Sequence, residues 1–97
     1  MIKSFGNKAT FDLFHGIVSS KSRKIPTQIV EQTLMKLDLI NAAVSIQDLK
    51  SPPGNRLELL SGNLYEYHSI RINKQWRIIF KWIDSNALEV SIVDYHD

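Results

Sequence analysis

Near its C-terminal end the chain reads Val93-Asp94-Tyr95-His96, three adjacent side chains that carry charge or move protons after a valine. Upstream, Asn73-Lys74-Gln75-Trp76-Arg77-Ile78-Ile79-Phe80 sets cations and an amide at the start of a strand-like run. Such groups suit metal-free phosphodiester cleavage. A base takes the proton of a 2′-hydroxyl, cations hold the charge of the phosphorane, and an acid protonates the departing 5′-oxygen. Histidine, with an ordinary pKa near 6.5, suits either proton transfer, whereas tyrosine, near 10, needs a cation such as Arg77 beside it to act as a base. Taken alone, a terminal Asp-Tyr-His also fits a polar tail, so the elements that hold these residues decide.

Metal chemistry is not expected. His15, His68 and His96 stand far apart, without the usual ligand spacings, and there is no cysteine to supply a thiolate. No phosphate-cradling glycine loop and no Gly-x-Ser-x-Gly elbow occurs either. Strand parity assigns His68 to a structural, hydrogen-bonded place in the core and leaves His15 at the surface.

The positioning elements follow from periodicity. Residues 2–5 suit a short first strand. Asn7 or Thr10 can cap a helix with the stripe Phe11, Phe14 and Val18. Pro26 opens a longer helix whose stripe is Val30, Leu34, Leu37, Ile40 and Val44. Ser45 to Asp48 has capping-box spacing, and Ser51-Pro52-Pro53-Gly54-Asn55 is expected to end all helical structure. Strands are expected over 56–60, 65–72, 76–83 and 88–94, the last three joined by three-residue loops at 73–75 and 84–86. The chain therefore reads as an α+β fold: N-terminal helices packed on one face of a mostly antiparallel sheet of four to five strands.

Alternation sorts the last three strands. Ile70, Ile72, Trp76, Ile78, Phe80, Trp82, Leu88, Val90 and Ile92 should meet the helices, and Tyr67, Ser69, Arg71, Arg77, Ile79, Lys81, Ser91, Val93 and Tyr95 should project away from them. Three-residue loops put Arg71 opposite Arg77, Tyr67 opposite Lys81 and Val93 beside Arg77. Two arginines across a sheet repel each other, and an anion between them would relieve the strain. Guanidinium groups, a lysine and tyrosines on one face suit single-stranded nucleic acid, by phosphate neutralisation and stacking. Solvated long side chains are the plainer reading of the same face.

At 97 residues, with 43% hydrophobic and 23% charged residues, one domain spanning 1–97 is expected. Net charge is +2. From position 55 to position 81, Arg56, Arg71, Lys74, Arg77 and Lys81 outnumber Glu58 and Glu66, which suggests an anionic partner. No run reaches the length of a membrane span and no secretory signal is evident, so a cytoplasmic place is expected.

Four stretches together resemble a known family. They are Met1-Ile2-Lys3-Ser4-Phe5, Leu49-Lys50-Ser51-Pro52-Pro53-Gly54-Asn55-Arg56-Leu57-Glu58, His68-Ser69-Ile70-Arg71-Ile72-Asn73-Lys74-Gln75-Trp76-Arg77-Ile78, and Val93-Asp94-Tyr95-His96. They look like HigB-type toxins, the killer-protein branch of the RelE superfamily in type II toxin–antitoxin systems. The resemblance covers almost the whole chain. It implies a RelE-like fold and an endoribonuclease that enters the ribosomal A site and cuts translated mRNA without metal or organic cofactor, inhibiting translation and growth. It also implies a HigA-type helix-turn-helix antitoxin, with operator DNA bound only through the complex.

Carried onto this chain, the resemblance gives Arg77 the scissile phosphate and Asp94, Tyr95 and His96 the C-terminal part of the site, with Tyr95 or His96 in proton transfer. Gln75 falls where such toxins place an amide on the RNA. Where some members carry a histidine and a lysine after the proline-rich loop, this chain has Glu58 and Ser61. Glu58 can serve as a base, and Arg56 or Arg71 can supply the missing charge. The basic face adds Tyr67, Lys74 and Lys81 as RNA contacts. Two alternatives follow: a ribosome- or RNA-binding growth inhibitor with little or no cleavage, and an antitoxin partner acting chiefly in transcriptional regulation.

Overall fold

The computed structural model describes residues 1–95; His96, one of the expected proton-transfer groups, lies outside the described residues. Helix α1 spans Lys8–Phe14 and α2 spans Thr27–Ala42. Strands β1 (Glu58–Leu59), β2 (Tyr67–Arg71), β3 (Trp76–Ile83) and β4 (Asn86–Asp94) form an antiparallel sheet in that order. Beyond β4, the N-terminal residues add two parallel bridges, Ile2 to Ala87 and Phe5 to Val90. The α+β architecture and the first short pairing thus match the sequence pattern.

Asn7 caps α1, its Oδ1 accepting from the Thr10 N–H at 3.0 Å. The expected stripe of this helix is wrong at its end. The helix stops at Phe14, Val18 lies beyond it and is exposed, and the residues that α1 buries are Thr10 and Asp12. Each of these polar groups is hydrogen-bonded. Thr10 Oγ1 accepts from the Ile92 N–H of β4 at 2.9 Å, and Asp12 accepts from Ser19 Oγ at 2.6 Å and Lys8 Nζ at 2.9 Å.

Helix α2 buries Ile29, Thr33, Lys36, Leu37 and Ile40, rather than the full expected stripe; Val30 and Leu34 are half-buried and Val44 is exposed beyond the helix end. Leu37 and Ile40 meet Ile70, Ile78, Phe80 and Val90 in one core. Each such fully buried side chain contributes about 1.5–3 kcal/mol of transfer free energy.

Ser45 and Asp48 form the expected capping box on a 3-10 turn, Ile46–Lys50. The proline loop ends the α-helices but not all helical structure, since 3-10 turns follow at Pro53–Asn55 and Gly62–Leu64. Buried Asn55 holds this loop. Its Nδ2 donates to the Leu49 and Ser51 carbonyls at 3.1 and 3.2 Å, and its Oδ1 accepts from buried Lys36 at 2.5 Å. The strand after the loop shrinks to Glu58–Leu59.

Register is where the structure is most specific. Arg71 lies opposite Arg77, Tyr67 opposite Lys81 and Val93 opposite Arg77, as alternation and loop length predict. The second loop, however, has two residues, Asp84 and Ser85, both at positive φ (51° and 63°), with Ile83 paired to Asn86. Two left-handed residues in succession make the tight turn whose twist suits a hairpin. A bulge at Glu89 (φ 51°) then restores the parity that the shorter loop would have inverted. Leu88 consequently pairs with Lys81 on the face away from the helices, and Ala87 takes the core place expected of it.

His68 keeps its expected side, stacked on Phe80 at 6.0 Å, but among the described residues its buried Nδ1 has no hydrogen-bond partner, contrary to the expectation of a satisfied histidine. Burial pushes its pKa down, towards the neutral ring.

Two outcomes test this scaffold. Asn55→Ala removes three hydrogen bonds and strands the buried Lys36 amine, so urea denaturation should show a loss of about 3 kcal/mol. Asp12 is held below its ordinary carboxylate pKa of 3.8, first by the Ser19 hydroxyl and then by Lys8. Its contribution is therefore complete above about pH 3.8 and is lost as pH falls through the depressed folded value. Ser19→Ala should move the acid-unfolding midpoint to higher pH, read by circular dichroism.

Candidate active site

The face directed away from the helices carries the candidate residues, and it is less open than alternation suggests. Ser69, Arg77, Ile79 and Ser91 are all buried on it. Arg77 is 8% exposed, so its guanidinium needs partners of its own. Its Nη1 donates to Glu58 Oε1 at 2.6 Å and to Ser69 Oγ at 3.3 Å, and its Cζ lies 4.8 Å from the centre of the Tyr95 ring. Glu58 comes from the short β1, Ser69 from β2, Arg77 from β3 and Tyr95 from the residue after β4. Four separate stretches of chain therefore converge on one cation.

The opposed arginines are reconciled within the chain. Arg77 takes the Glu58 carboxylate, while Arg71 turns to the hairpin loop, its Nε donating to the Asn73 carbonyl at 3.0 Å. Asn73 Oδ1 in turn accepts from the N–H groups of Gln75 and Trp76 at 2.8 and 2.7 Å. The loop is also tied to the C-terminal strand. The Tyr95 N–H donates to the Gln75 carbonyl at 2.7 Å, and Gln75 Nε2 to Asp94 Oδ2 at 3.1 Å. Asp94 pairs with Trp76, so alternation turns it to the other side of the sheet from Arg77. It meets Gln75 there rather than the Arg77 cluster.

Of the remaining candidates, Lys74 is exposed in the loop, and Arg56 is exposed in a left-handed conformation (φ 47°) two residues before Glu58. Tyr67 and Lys81 form a second group four residues along the strands. Lys81 Nζ lies 2.8 Å from Glu89, 3.3 Å from Glu66 and 5.4 Å from the Tyr67 ring centre. Hydrogen bonds that it donates to the Glu89 and Glu66 carboxylates raise its pKa, which keeps the amine charged. The Tyr67 phenol is pushed up by burial and then by the Glu89 charge, while Lys81 draws Glu89 down.

Sequence reasoning missed Ser69 and Asn73 as parts of the site. Parity signalled the first, and the Asn-containing loop the second. Among the described residues no cluster of three or more His, Asp or Glu side chains is arranged to hold a metal ion, and no helix is long and apolar enough to cross a membrane.

A fold of two helices packed with a four-stranded antiparallel sheet is the frame of the RelE-like toxins. Residues 3–96 match the family model of the HigB-like, RelE-like toxins of type II toxin–antitoxin systems, and the chain belongs to that family. It is 48% identical over 68 residues to Toxin HigB-1 of Vibrio cholerae, covering 70% of this chain and 72% of that one. It is 34% identical to Endoribonuclease HigB of Proteus vulgaris across 99% of this chain and 100% of the relative. In fold it is similar to a chain of the YoeB–YefM complex of Staphylococcus aureus, with a TM-score of 0.60 and 18% identity, covering 100% of this chain and 99% of that one.

Asn73→Ala should loosen the loop that carries Gln75, at a cost of about 1–2 kcal/mol, because two backbone N–H groups lose their acceptor. Asn73→Asp keeps an acceptor and should restore most of that loss in thermal denaturation.

Proposed function

We propose that this toxin is an endoribonuclease that cuts messenger RNA in the ribosomal A site by metal-independent transesterification, and so stops translation and growth. The observation that carries the reading is the buried Arg77, held at 2.6 Å by the Glu58 carboxylate and lying under the Tyr95 ring. A cation, a carboxylate able to act as a base and a phenol are thus gathered at one point of the sheet. The name of the Proteus vulgaris relative, an endoribonuclease, supports the same activity.

In this reading the scissile phosphate approaches Arg77 beside Glu58. Glu58 takes the proton of the 2′-hydroxyl, and the 2′-oxygen attacks phosphorus. Arg77 neutralises the charge that grows on the non-bridging oxygens. As the bond from phosphorus to the 5′-oxygen breaks, Tyr95 or His96 delivers a proton to that oxygen. The products are a 2′,3′-cyclic phosphate and a 5′-hydroxyl. Arg71, Arg56 and Lys74 are the proposed contacts to flanking phosphates, and Gln75 orders the loop and offers an amide. Asp94 acts through Gln75 as a positioning residue. Tyr67 supplies a stacking ring farther along, with Lys81 kept charged beside it.

A HigA-type helix-turn-helix antitoxin is the proposed partner, with operator DNA bound through the complex and a cytoplasmic setting. Two of the solved structures of similar fold are YoeB–YefM complexes, which supports a protein partner.

Arg77→Ala and Glu58→Gln should each reduce RNA cleavage on translating ribosomes by a factor on the order of 10² or more, with circular dichroism unchanged. Mapping of mRNA 5′ ends after induction checks this. New ends in phase with the reading frame are expected from the parent chain. Growth arrest without such ends would favour a ribosome-binding inhibitor that does not cut.

A further inference from the structure

We infer that Lys36, buried in α2, is a positioning residue that sets Glu58 against Arg77 through its bond to the proline loop. This rests on the reading of Glu58 as the base of an RNA-cleaving site. It puts a determinant of the reaction in the helix layer, away from the face that meets the substrate.

Lys36 is 6% exposed, on the side of α2 that carries Leu37 and Ile40 into the core. Burial lowers its pKa from the ordinary value of 10.5, and no carboxylate among the described residues pairs with it. Its amine donates to Asn55 Oδ1 at 2.5 Å. A methionine of similar length would fill the same space without desolvating a charge, and such replacements are often neutral or stabilising. Stability alone therefore does not explain a lysine here.

Geometry supplies a reason. Asn55 is fully buried, and its Nδ2 closes the loop on itself through the Leu49 and Ser51 carbonyls. Its oxygen takes the Lys36 bond, which ties the closed loop to a core helix. Leu49 is buried and Leu57 half-buried against the core, so apolar contacts already keep both ends of the loop down. Such contacts are non-directional, and the hydrogen bond adds direction.

After Asn55 the chain turns through the left-handed Arg56 (φ 47°) and reaches Glu58 in three residues. Strand β1 has two residues, followed by the Leu60 N–H on the Tyr67 carbonyl at 2.9 Å. So short a ladder leaves the loop to decide where the Glu58 carboxylate stands. That carboxylate lies 2.6 Å from Arg77 Nη1, and a shift of about 1 Å at a reacting group can cost on the order of 10² in rate.

The test measures single-turnover cleavage on translating ribosomes, ribosome affinity and amide hydrogen exchange, all with the full chain. Lys36→Met should slow cleavage by a factor on the order of ten to a hundred, with ribosome affinity and melting temperature little changed. Its Leu60 amide should exchange faster, while that of the buried Ile78 in β3 keeps its protection. Lys36→Gln retains a donor on a shorter stem, so it should fall between the parent and Lys36→Met, and it replaces that variant if the latter does not fold. Combined with Glu58→Gln, either change should add no further loss, because its effect on the reaction runs through Glu58. Losses that multiply, or a Lys36→Met chain that cuts at the parent's rate, would overturn the proposal. A parent chain that cuts no RNA would sink the nuclease reading, whereas a faster Leu60 amide in Lys36→Met would still place Lys36 behind β1.

Discussion

An arginine left 8% exposed is costly unless charge and hydrogen bonds meet its guanidinium from the same chain, and Arg77 is met on several sides. Glu58 balances the charge, Ser69 adds an acceptor, and the Tyr95 ring lies over the planar group. The arrangement requires β1, short as it is, to lie against β2 with Glu58 opposite Ser69. It also requires the proline loop to deliver β1 there. That loop is fixed by Asn55, and Asn55 by the buried Lys36 of α2. A line of polar contacts thus runs from the helix layer through the loop to the charged site.

The opposite wall of the site depends on β4. Its C-terminal residues approach Arg77 only because a two-residue turn and a bulge at Glu89 together restore the parity of a longer loop. The N-terminal segment braces the bulge. Ser4 Oγ accepts from the Glu89 N–H at 2.9 Å, and Gly6 permits close contact with Ser91. Glu89, freed from regular pairing, reaches Lys81. Two carboxylates on one lysine make the distal end of the face locally acidic, whereas at the other end Glu58 pairs with Arg77 and Arg71 turns to the Asn73 carbonyl.

Much of this was legible in the amino-acid order. Alternation in 67–71 and 76–83, with the Asn73-Lys74-Gln75 loop, determined which residues oppose Arg71 and Tyr67. Proline and capping-box spacing located α2 and the following turn. The motifs at the chain's start, proline loop and end carried the family. Helix faces were less legible, because Thr10, Asp12, Thr33 and Lys36 are buried and a stripe of apolar residues cannot reveal buried polar ones.

Sequence alone determined the sheet order of the last three strands and the common face of Arg71, Arg77 and Tyr95, because these follow from local periodicity. Tertiary structure alone decided that Arg77 is buried and paired with Glu58, that Asp94 serves the loop, and that Lys81 is held by Glu66 and Glu89. Those outcomes rest on contacts between residues far apart in the chain and on one bulge, and neither leaves a periodic trace in the sequence.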